Sequence, residues 1–301
     1  MIRLNSGYRR AGKHGSVKIC EWTRKSLRNE GHCYKQKFYG IESHRCIQLT
    51  PCKEFCTHTC LFCWRDISKT KTKIPEFSEK AHEFLDEAIK NHRLLITGFK
   101  GNEKTAKNRF DEACNPKHVA ISLSGEPTLY PFLNELIKEI HKRKMTSFLV
   151  TNGTTPEVLK KLKMPTQIYI TLPAHDRETY EKTCNPLISD GWEKLMKSLK
   201  VMSKFQTRKV IRLTLARDLN FSNPEKYAGI IKTACPDFVE VKSFMSVGFS
   251  RSRLEYSRML SFSEIKEFSQ ELAKSLGYKI INEKEDSRVV LLSSGLKQPL
   301  I

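Results

Sequence analysis

Hydrophobic and polar positions follow two regimes along this chain. Residues 1–45 are irregular, basic and cysteine-bearing. From Cys46 onward, short apolar runs alternate with amphipathic stretches. The runs Cys46–Thr50, His118–Leu123, Thr146–Thr151, Gln167–Leu172, Val210–Ala216 and Phe238–Phe244 are mostly rich in Val, Ile, Leu, Phe or Thr. They are bounded by polar or turn residues, which predicts strands. Residues 77–96, 131–143, 155–163, 176–184, 191–205 and 224–234 predict helices between them. Ser222-Asn223-Pro224-Glu225 reads as a helix start, a capping residue followed by proline. This alternation is the pattern of a parallel sheet. The repeats fall short of the eight in a closed barrel. The expected fold is therefore α/β, an open (βα)6 TIM-like partial barrel, with a doubly wound sheet as the rival. A helix over 263–276 and a strand around Val289–Leu292 extend it. The expected division is a basic N-terminal segment (1–45), a barrel core (46–260) and a C-terminal helix and strand extension (261–301).

The loop after the first strand reads Cys56-Thr-His-Thr-Cys60-Leu-Phe-Cys63. Three thiolates so close together can hold three irons of a 4Fe–4S cluster and leave the fourth open; a four-cysteine cluster is closed and usually carries electrons. A zinc loop would usually pair C-x2-C with a second, distant pair. In βα barrels the chemistry gathers on loops after strand C-termini. Two further motifs fall at equivalent places: Ser124-Gly125-Glu126-Pro127-Thr128 after the second strand and Asn152-Gly153-Thr154 after the third. Gly125 allows close backbone approach, and the Glu126 carboxylate suits the ammonium of an amino acid. Asn152 serves either a ligand or the Asn-Gly turn. Trp64, next to Cys63, packs over a cluster or in the core.

The chain has no apolar run of membrane-span length and no signal-peptide core at its N-terminus, so a cytoplasmic location is expected. Ten cysteines in that compartment point to metal or redox chemistry rather than disulfides. Cys20, Cys33 and Cys46 form a second, widely spaced set that suits another cluster with an open iron, with Cys52 as a spare. Cys114, Cys184 and Cys235 are scattered and read as ordinary thiols. Lys35 and Lys37 follow Cys33. A desolvated lysine in a cationic site can form a Schiff base with a carbonyl, while a solvent or phosphate-binding role is the alternative.

Charge adds a partner. Lys and Arg number 53 against 33 Asp and Glu, a net +20, which implies a polyanion. Tyr8, Trp22, Tyr34, Phe38 and Tyr39 are interleaved with the N-terminal basic residues. Cations that hold phosphates beside aromatic faces that stack bases suit folded RNA with an exposed nucleotide. A solvated basic arm over a small aromatic core is the alternative.

Three strings carry a family resemblance: Cys56–Asp66 (Cys-Thr-His-Thr-Cys-Leu-Phe-Cys-Trp-Arg-Asp), Leu123–Pro131 (Leu-Ser-Gly-Glu-Pro-Thr-Leu-Tyr-Pro) and Val150–Thr154 (Val-Thr-Asn-Gly-Thr). They resemble the tRNA 4-demethylwyosine synthases, radical S-adenosylmethionine (SAM) enzymes of wyosine biosynthesis, in their archaeal single-domain form. Residues 97–102, 211–215 and 241–251 extend the resemblance over nearly the whole chain.

The resemblance implies a SAM-chelating 4Fe–4S cluster on Cys56, Cys60 and Cys63, and an auxiliary 4Fe–4S cluster on Cys20, Cys33 and Cys46. It implies SAM contacts at Gly125, Glu126, Thr128 and Asn152, with Ser124 where the family pattern has glycine. The implied substrate is N1-methylguanosine at position 37 of tRNA-Phe. In the implied reaction, SAM yields a 5′-deoxyadenosyl radical that takes a hydrogen from the N-methyl group. The methylene radical attacks the carbonyl carbon of pyruvate, the C1–C2 bond breaks, and a third ring closes. Pyruvate would sit on the auxiliary cluster or as a Schiff base on Lys35. Lys69, Lys71, Lys73, Arg251, Arg253 and Arg258 would supply part of the surface for the anticodon arm. Eukaryotic members add a flavodoxin-like domain for which this chain has no room, so an external one-electron reductant and a monomer are expected. The rivals are another radical SAM modification of an RNA base and a non-catalytic iron–sulfur RNA-binding protein.

Overall fold

The structure is a computed structural model and describes residues 7–73, 76 and 79–301. In chain order the elements are β1 (Tyr8–Ala11), β2 (Gly15–Lys18), α1 (Glu21–Leu27), α2 (Tyr34–Tyr39), β3 (Cys46–Thr50), α3 (Ala81–Ile96), α4 (Lys107–Ala113), β4 (His118–Ile121), α5 (Leu133–Lys142) and β5 (Thr146–Thr151). There follow α6 (Pro156–Lys160), β6 (Gln167–Thr171), α7 (Arg177–Cys184), α8 (Gly191–Met202), β7 (Arg208–Leu215), α9 (Pro224–Ala234), β8 (Phe238–Ser243), α10 (Phe262–Leu276), β9 (Lys279–Lys284) and β10 (Val289–Ser293).

One sheet runs β1-β2-β3-β4-β5-β6-β7-β8-β10-β9. Strands β3 to β8 are parallel and lie in sequence order. A doubly wound sheet reverses its strand order at a switch point. With no reversal, right-handed crossovers put their helices on one face, the winding of a partial barrel. The sequence-based expectation holds here.

Alternation along the strands separates two cores. Outward residues such as Ile47, Leu49, Val119, Ile121, Leu149, Ile168, Ile170, Leu213 and Val241 pack under Leu136 and Ile140 of α5, Leu195 and Leu199 of α8, and Ile231 of α9. Inward residues Phe148, Tyr169, Val210, Phe238, Val289 and Leu291 pack instead against Tyr34, Phe38 and Tyr39. Helix α2 therefore plugs the interior of the barrel.

Four local expectations change. The stretch 1–45 is not irregular: β1 and β2 form a hairpin that adds antiparallel to β3, followed by α1 and α2. Its strands are four residues long and carry Arg or Lys, so no apolar run marks them. Asn223 sits at φ 51° and makes no side-chain capping bond; only the Pro224 half of that start signal operates. Helix α4 and strand β9 lie outside the expected elements. Residues 77 and 78, expected to begin a helix, lie outside the described residues, and α3 begins at Ala81. Among the described residues no helix is long and apolar enough to cross a membrane.

Candidate active site

The inward positions nearest the strand C-termini are polar or partly open. Gln48, Val150, Thr171, Arg212, Thr214 and Lys242 are all half-buried, while outward neighbours such as Leu49, Ile170 and Leu213 are closed off. These inner-face positions keep partial access to solvent above the α2 plug. The cysteine loop, Glu126 and Asn152 follow strands β3, β4 and β5, on the same C-terminal side of the sheet.

The loop 56–63 is held from three sides. The Cys56 N–H donates to Lys71 O at 3.2 Å. Thr59 N donates to Cys184 O at 3.1 Å, and Leu61 N to Thr183 O at 3.0 Å. Arg253 donates from Nε to Leu61 O at 3.2 Å and from Nη2 to Cys63 O. A negative charge on Cys60 is felt at both Cys56 and Cys63, so the three thiols share one locality. Burial pushes the Cys56 thiol up to about 12 and raises Cys63, and the bond with Cys184 followed by burial raises Cys60. Thiolates buried this way need a cation beside them, which iron supplies. Three such thiols and no fourth from the same loop fit a cluster with one open iron.

Gly125 has φ +68°, and a Cβ there would stand 1.7 Å from Cys52 O and 2.7 Å from Phe55 O. Only glycine fits so close to another backbone. Glu126, buried behind it, has a densely bonded carboxylate. Oε1 accepts Thr128 N at 3.0 Å, Thr128 Oγ1 at 2.6 Å and Thr151 Oγ1 at 2.7 Å. Among the described residues Oε2 accepts one donor, Asn152 N, at 2.7 Å. Asn152 Nδ2 reaches Thr57 Oγ1 at 2.9 Å and Cys56 Sγ at 3.8 Å. The structure thus brings Gly125, Glu126, Thr128, Asn152 and Cys56 together. Trp64 stacks on Tyr8 at 5.9 Å, with Lys18 Nζ 5.0 Å from its ring.

Cys20 and Cys33 are the residues before α1 and α2, and Cys46 opens β3 on its inner face. A charge on Cys20 is felt by both Cys33 and Cys46, so residues 26 positions apart in sequence converge. Burial raises Cys33 to about 11 and Cys46 further. This trio suits the same kind of group as the loop. Cys52 is not part of it: it lies at the other end of β3, where charges on Glu126 and Cys56 are felt.

Helix α2 separates the two candidate lysines. Lys37 points outward and donates to Glu283 O at 2.6 Å. Lys35 points into the barrel, its Nζ 4.6 Å from the Tyr169 ring and 4.9 Å from Phe148. Burial and then the Arg212 charge lower its pKa.

Beside it runs a network that motif reading did not find. Arg212 lies 4.4 Å over Tyr169 and pairs with Glu240 at 3.0 Å. Glu240, 0% exposed, also accepts Tyr34 Oη at 3.0 Å and Tyr39 Oη at 2.8 Å. Lys242 is lowered to about 8, first by burial and next by Arg212. The available signal was charge at alternate, inward positions of two apolar strands, Arg212 in β7 and Glu240 and Lys242 in β8.

Two expected RNA contacts have other work. Arg253 clamps the cysteine loop, and Arg258 donates to the Arg217 and Asp218 carbonyls at 3.3 Å each. Arg251 stays exposed beside Phe249 (52% exposed) and Tyr256 (70%). Phe249 N donates to Trp64 O, which places this segment against the cysteine loop.

Comparison with known proteins settles the family. The radical SAM superfamily model matches residues 51–229, and a model described as wyosine base formation matches 233–294. A tRNA 4-demethylwyosine synthase of Pyrococcus abyssi is 49% identical over 95% of this chain and 85% of its own. The chain belongs to the SAM-dependent tRNA 4-demethylwyosine synthases. The Methanocaldococcus jannaschii synthase is 42% identical over 93% of this chain and 91% of its own. The human synthase is 38% identical over 95% of this chain, which spans 40% of the human protein. A solved structure of TYW1 with a lysine–pyruvate adduct bound superimposes with a TM-score of 0.88 at 39% identity, covering 98% of this chain and 94% of that one. The crystal structure of archaeal TYW1 gives 0.81 at 36%, covering 98% and 95%. This synthase is accordingly a radical SAM enzyme that uses SAM and a 4Fe–4S cluster to modify tRNA in wyosine biosynthesis.

Proposed function

We propose that the barrel interior joins N1-methylguanosine, at position 37 of tRNA-Phe, to two carbons of pyruvate, and that Lys35 is the residue that holds pyruvate. The placement of Lys35 carries this reading. It is a buried amine, two residues after Cys33, projecting from the plug helix over Tyr169 and Phe148. The related TYW1 structure is described as containing a lysine–pyruvate adduct, which supports a lysine in this role.

In its unprotonated form Lys35 Nζ attacks pyruvate C2 to give a carbinolamine, and a proton taken up by its hydroxyl lets water leave as the iminium forms. Arg212, over the same Tyr169 ring and kept in place by Glu240, would receive the pyruvate carboxylate. Cys20, Cys33 and Cys46 would hold an auxiliary cluster at the foot of the cavity, and Cys56, Cys60 and Cys63 the SAM cluster at its rim. The chemistry that the SAM cluster would supply is the electron for reductive cleavage of SAM to a hydrogen-abstracting radical. Glu126 Oε2, which accepts one donor among the described residues, would take the SAM ammonium, and Gly125, Thr128 and Asn152 would shape that contact. Position 37 lies in the anticodon loop, where a base can splay out of the stack. The inserted base closes the cavity against water. The chain works as a monomer and takes its electron from an external one-electron reductant.

The test has two parts. Anaerobically reconstituted protein with dithionite, SAM, pyruvate and N1-methylguanosine tRNA should yield a tricyclic base by nucleoside mass spectrometry. SAM cleavage that leaves the base unchanged would reject this substrate pair. Pyruvate with cyanoborohydride should add a reduced adduct at Lys35 and none in Lys35→Arg; an adduct on Lys242 instead would reject the lysine assignment.

A further inference from the structure

We propose that His58, Cys60 and Cys184 form a site for one soft divalent cation of the zinc class, which competes with the iron–sulfur cluster for Cys60. One ligand atom from each of these residues lies within 4.8 Å of the other two. His58 is 2% exposed, Cys184 1%, and Cys60 is partly buried. The Cys60 thiol thus sits next to both the Cys184 thiol and the His58 ring. The Cys184 carbonyl braces Thr59 of the cysteine loop, and its thiol is left without an assigned role by the reading above.

The arrangement is built into the backbone. Residues 57–61 run along the end of α7, tied by Thr59 N to Cys184 O, Leu61 N to Thr183 O, and Leu187 N to Thr57 O at 2.8 Å. Tyr180 of α7 meets His58 Nε2 at 2.6 Å, which orients the ring. Cys184 is thereby held beside the middle cysteine of the loop whatever its rotamer.

One imidazole and two sulfurs select zinc-like ions over magnesium or calcium, which take oxygen ligands. Bonds of about 2.0–2.3 Å would draw the three atoms closer together and leave the fourth tetrahedral position for water. A sulfur engaged here cannot also complete the three-cysteine set, so Cys56 and Cys63 alone would remain for the cluster. The competition rests on the reading of Cys60 as a cluster ligand; the cation site does not.

Two measurements separate these claims. Cobalt(II) added anaerobically to the full-length, cluster-free chain carrying Cys20→Ala and Cys33→Ala, which removes the other thiol trio, should bind at one equivalent with sulfur-to-cobalt charge-transfer absorption. Cys184→Ala and His58→Ala should each weaken it by about a hundredfold, more than the loss of an outer-shell partner. Cys56→Ala and Cys63→Ala should keep it. Absorption that survives Cys184→Ala and vanishes in Cys56→Ala, or no sulfur–cobalt band at all, would overturn the site. Cys184→Ser, matched in volume and checked by circular dichroism, guards against a folding defect. Zinc loaded before reconstitution should cut iron uptake several-fold in the unmodified chain and leave Cys184→Ala unaffected. Equal inhibition of both would overturn the competition while leaving the cobalt result to stand.

Discussion

The backbone N–H of Asn152 donates to Oε2 of Glu126 at 2.7 Å. This bond joins the loop after β5 to the loop after β4, and the Asn152 side chain carries the link on to Thr57 in the cysteine loop. Glu126 is therefore an architectural anchor as well as the proposed SAM ligand.

Glu126→Gln places an amide where four donors converge, so stability should fall by about 1–3 kcal/mol and SAM affinity should drop with it. Thr151→Val removes one donor from Oε1 and leaves Oε2 intact. It should cost about 1 kcal/mol and keep SAM affinity. Thermal denaturation beside equilibrium dialysis of SAM checks both. Unchanged affinity in Glu126→Gln would leave only the anchoring role.

Glu240 neutralises Arg212 and receives two tyrosine hydroxyls in a closed core. Its pKa is lowered by Arg212 and then Lys35, against a larger opposing effect of burial. Glu240→Ala strands the Arg212 guanidinium, whose side chain is 15% exposed, and should cost about 3 kcal/mol, the low end for breaking a buried pair. Denaturant unfolding measures this. A loss under about 1 kcal/mol would mean that solvent already reaches Arg212.

His92 and His118 set an acid limit on stability. Burial is the main cause that lowers each to about 4, below the ordinary 6.5. His118 Nε2 accepts Glu42 N at 3.1 Å, so Nδ1 carries the proton and donates to Thr146 Oγ1 at 2.7 Å. Between pH 6.5 and 4 the unfolded chain binds protons that the folded chain refuses, so stability falls as pH falls through that window. Each histidine accounts for about 3 kcal/mol. Melting temperatures from pH 7 to 4 should show the decline, and His118→Gln should flatten it.

Phe249 stands exposed against the end of the cysteine loop, and Arg251 and Tyr256 are exposed in the same segment. Phe249→Ala or Tyr256→Ala should weaken tRNA binding by about 1–3 kcal/mol if each stacks on a base. Arg251→Ala should reduce the salt slope of binding by about one. Arg253→Ala should act differently, lowering iron content through the loosened loop. Filter binding across a salt series, with iron analysis, distinguishes them. An unchanged salt slope in Arg251→Ala would place the tRNA elsewhere.

Most of the barrel was legible because its strands are closed on their helix-facing side. Apolar alternation at Ile47, Leu49, Val119 and Ile121 marks that side in one dimension. The hairpin β1–β2 was not legible, because each strand brings a single buried apolar residue, Ala11 or Val17, too few to mark a run, and its place is set by adding to β3. Capping at Asn223 failed for a related reason: a left-handed backbone turns its side chain away from the helix N–H groups it was expected to cap.

The sequence by itself determined the chemistry that depends on local spacing. Three thiols within eight residues, a glycine before Glu126 and an Asn-Gly turn lie on separate loops, and each strand's C-terminus points its loop to the same rim. Tertiary structure decided everything that depends on residues far apart in the chain. It put Lys35 rather than Lys37 inside the barrel, because α2 turns only one face inward. It paired Arg212 with Glu240 and set Cys184 beside Cys60, contacts across 28 and 124 positions that no local pattern encodes. A buried charge or thiol takes its meaning from the neighbours that replace water around it, and the fold alone chooses those neighbours.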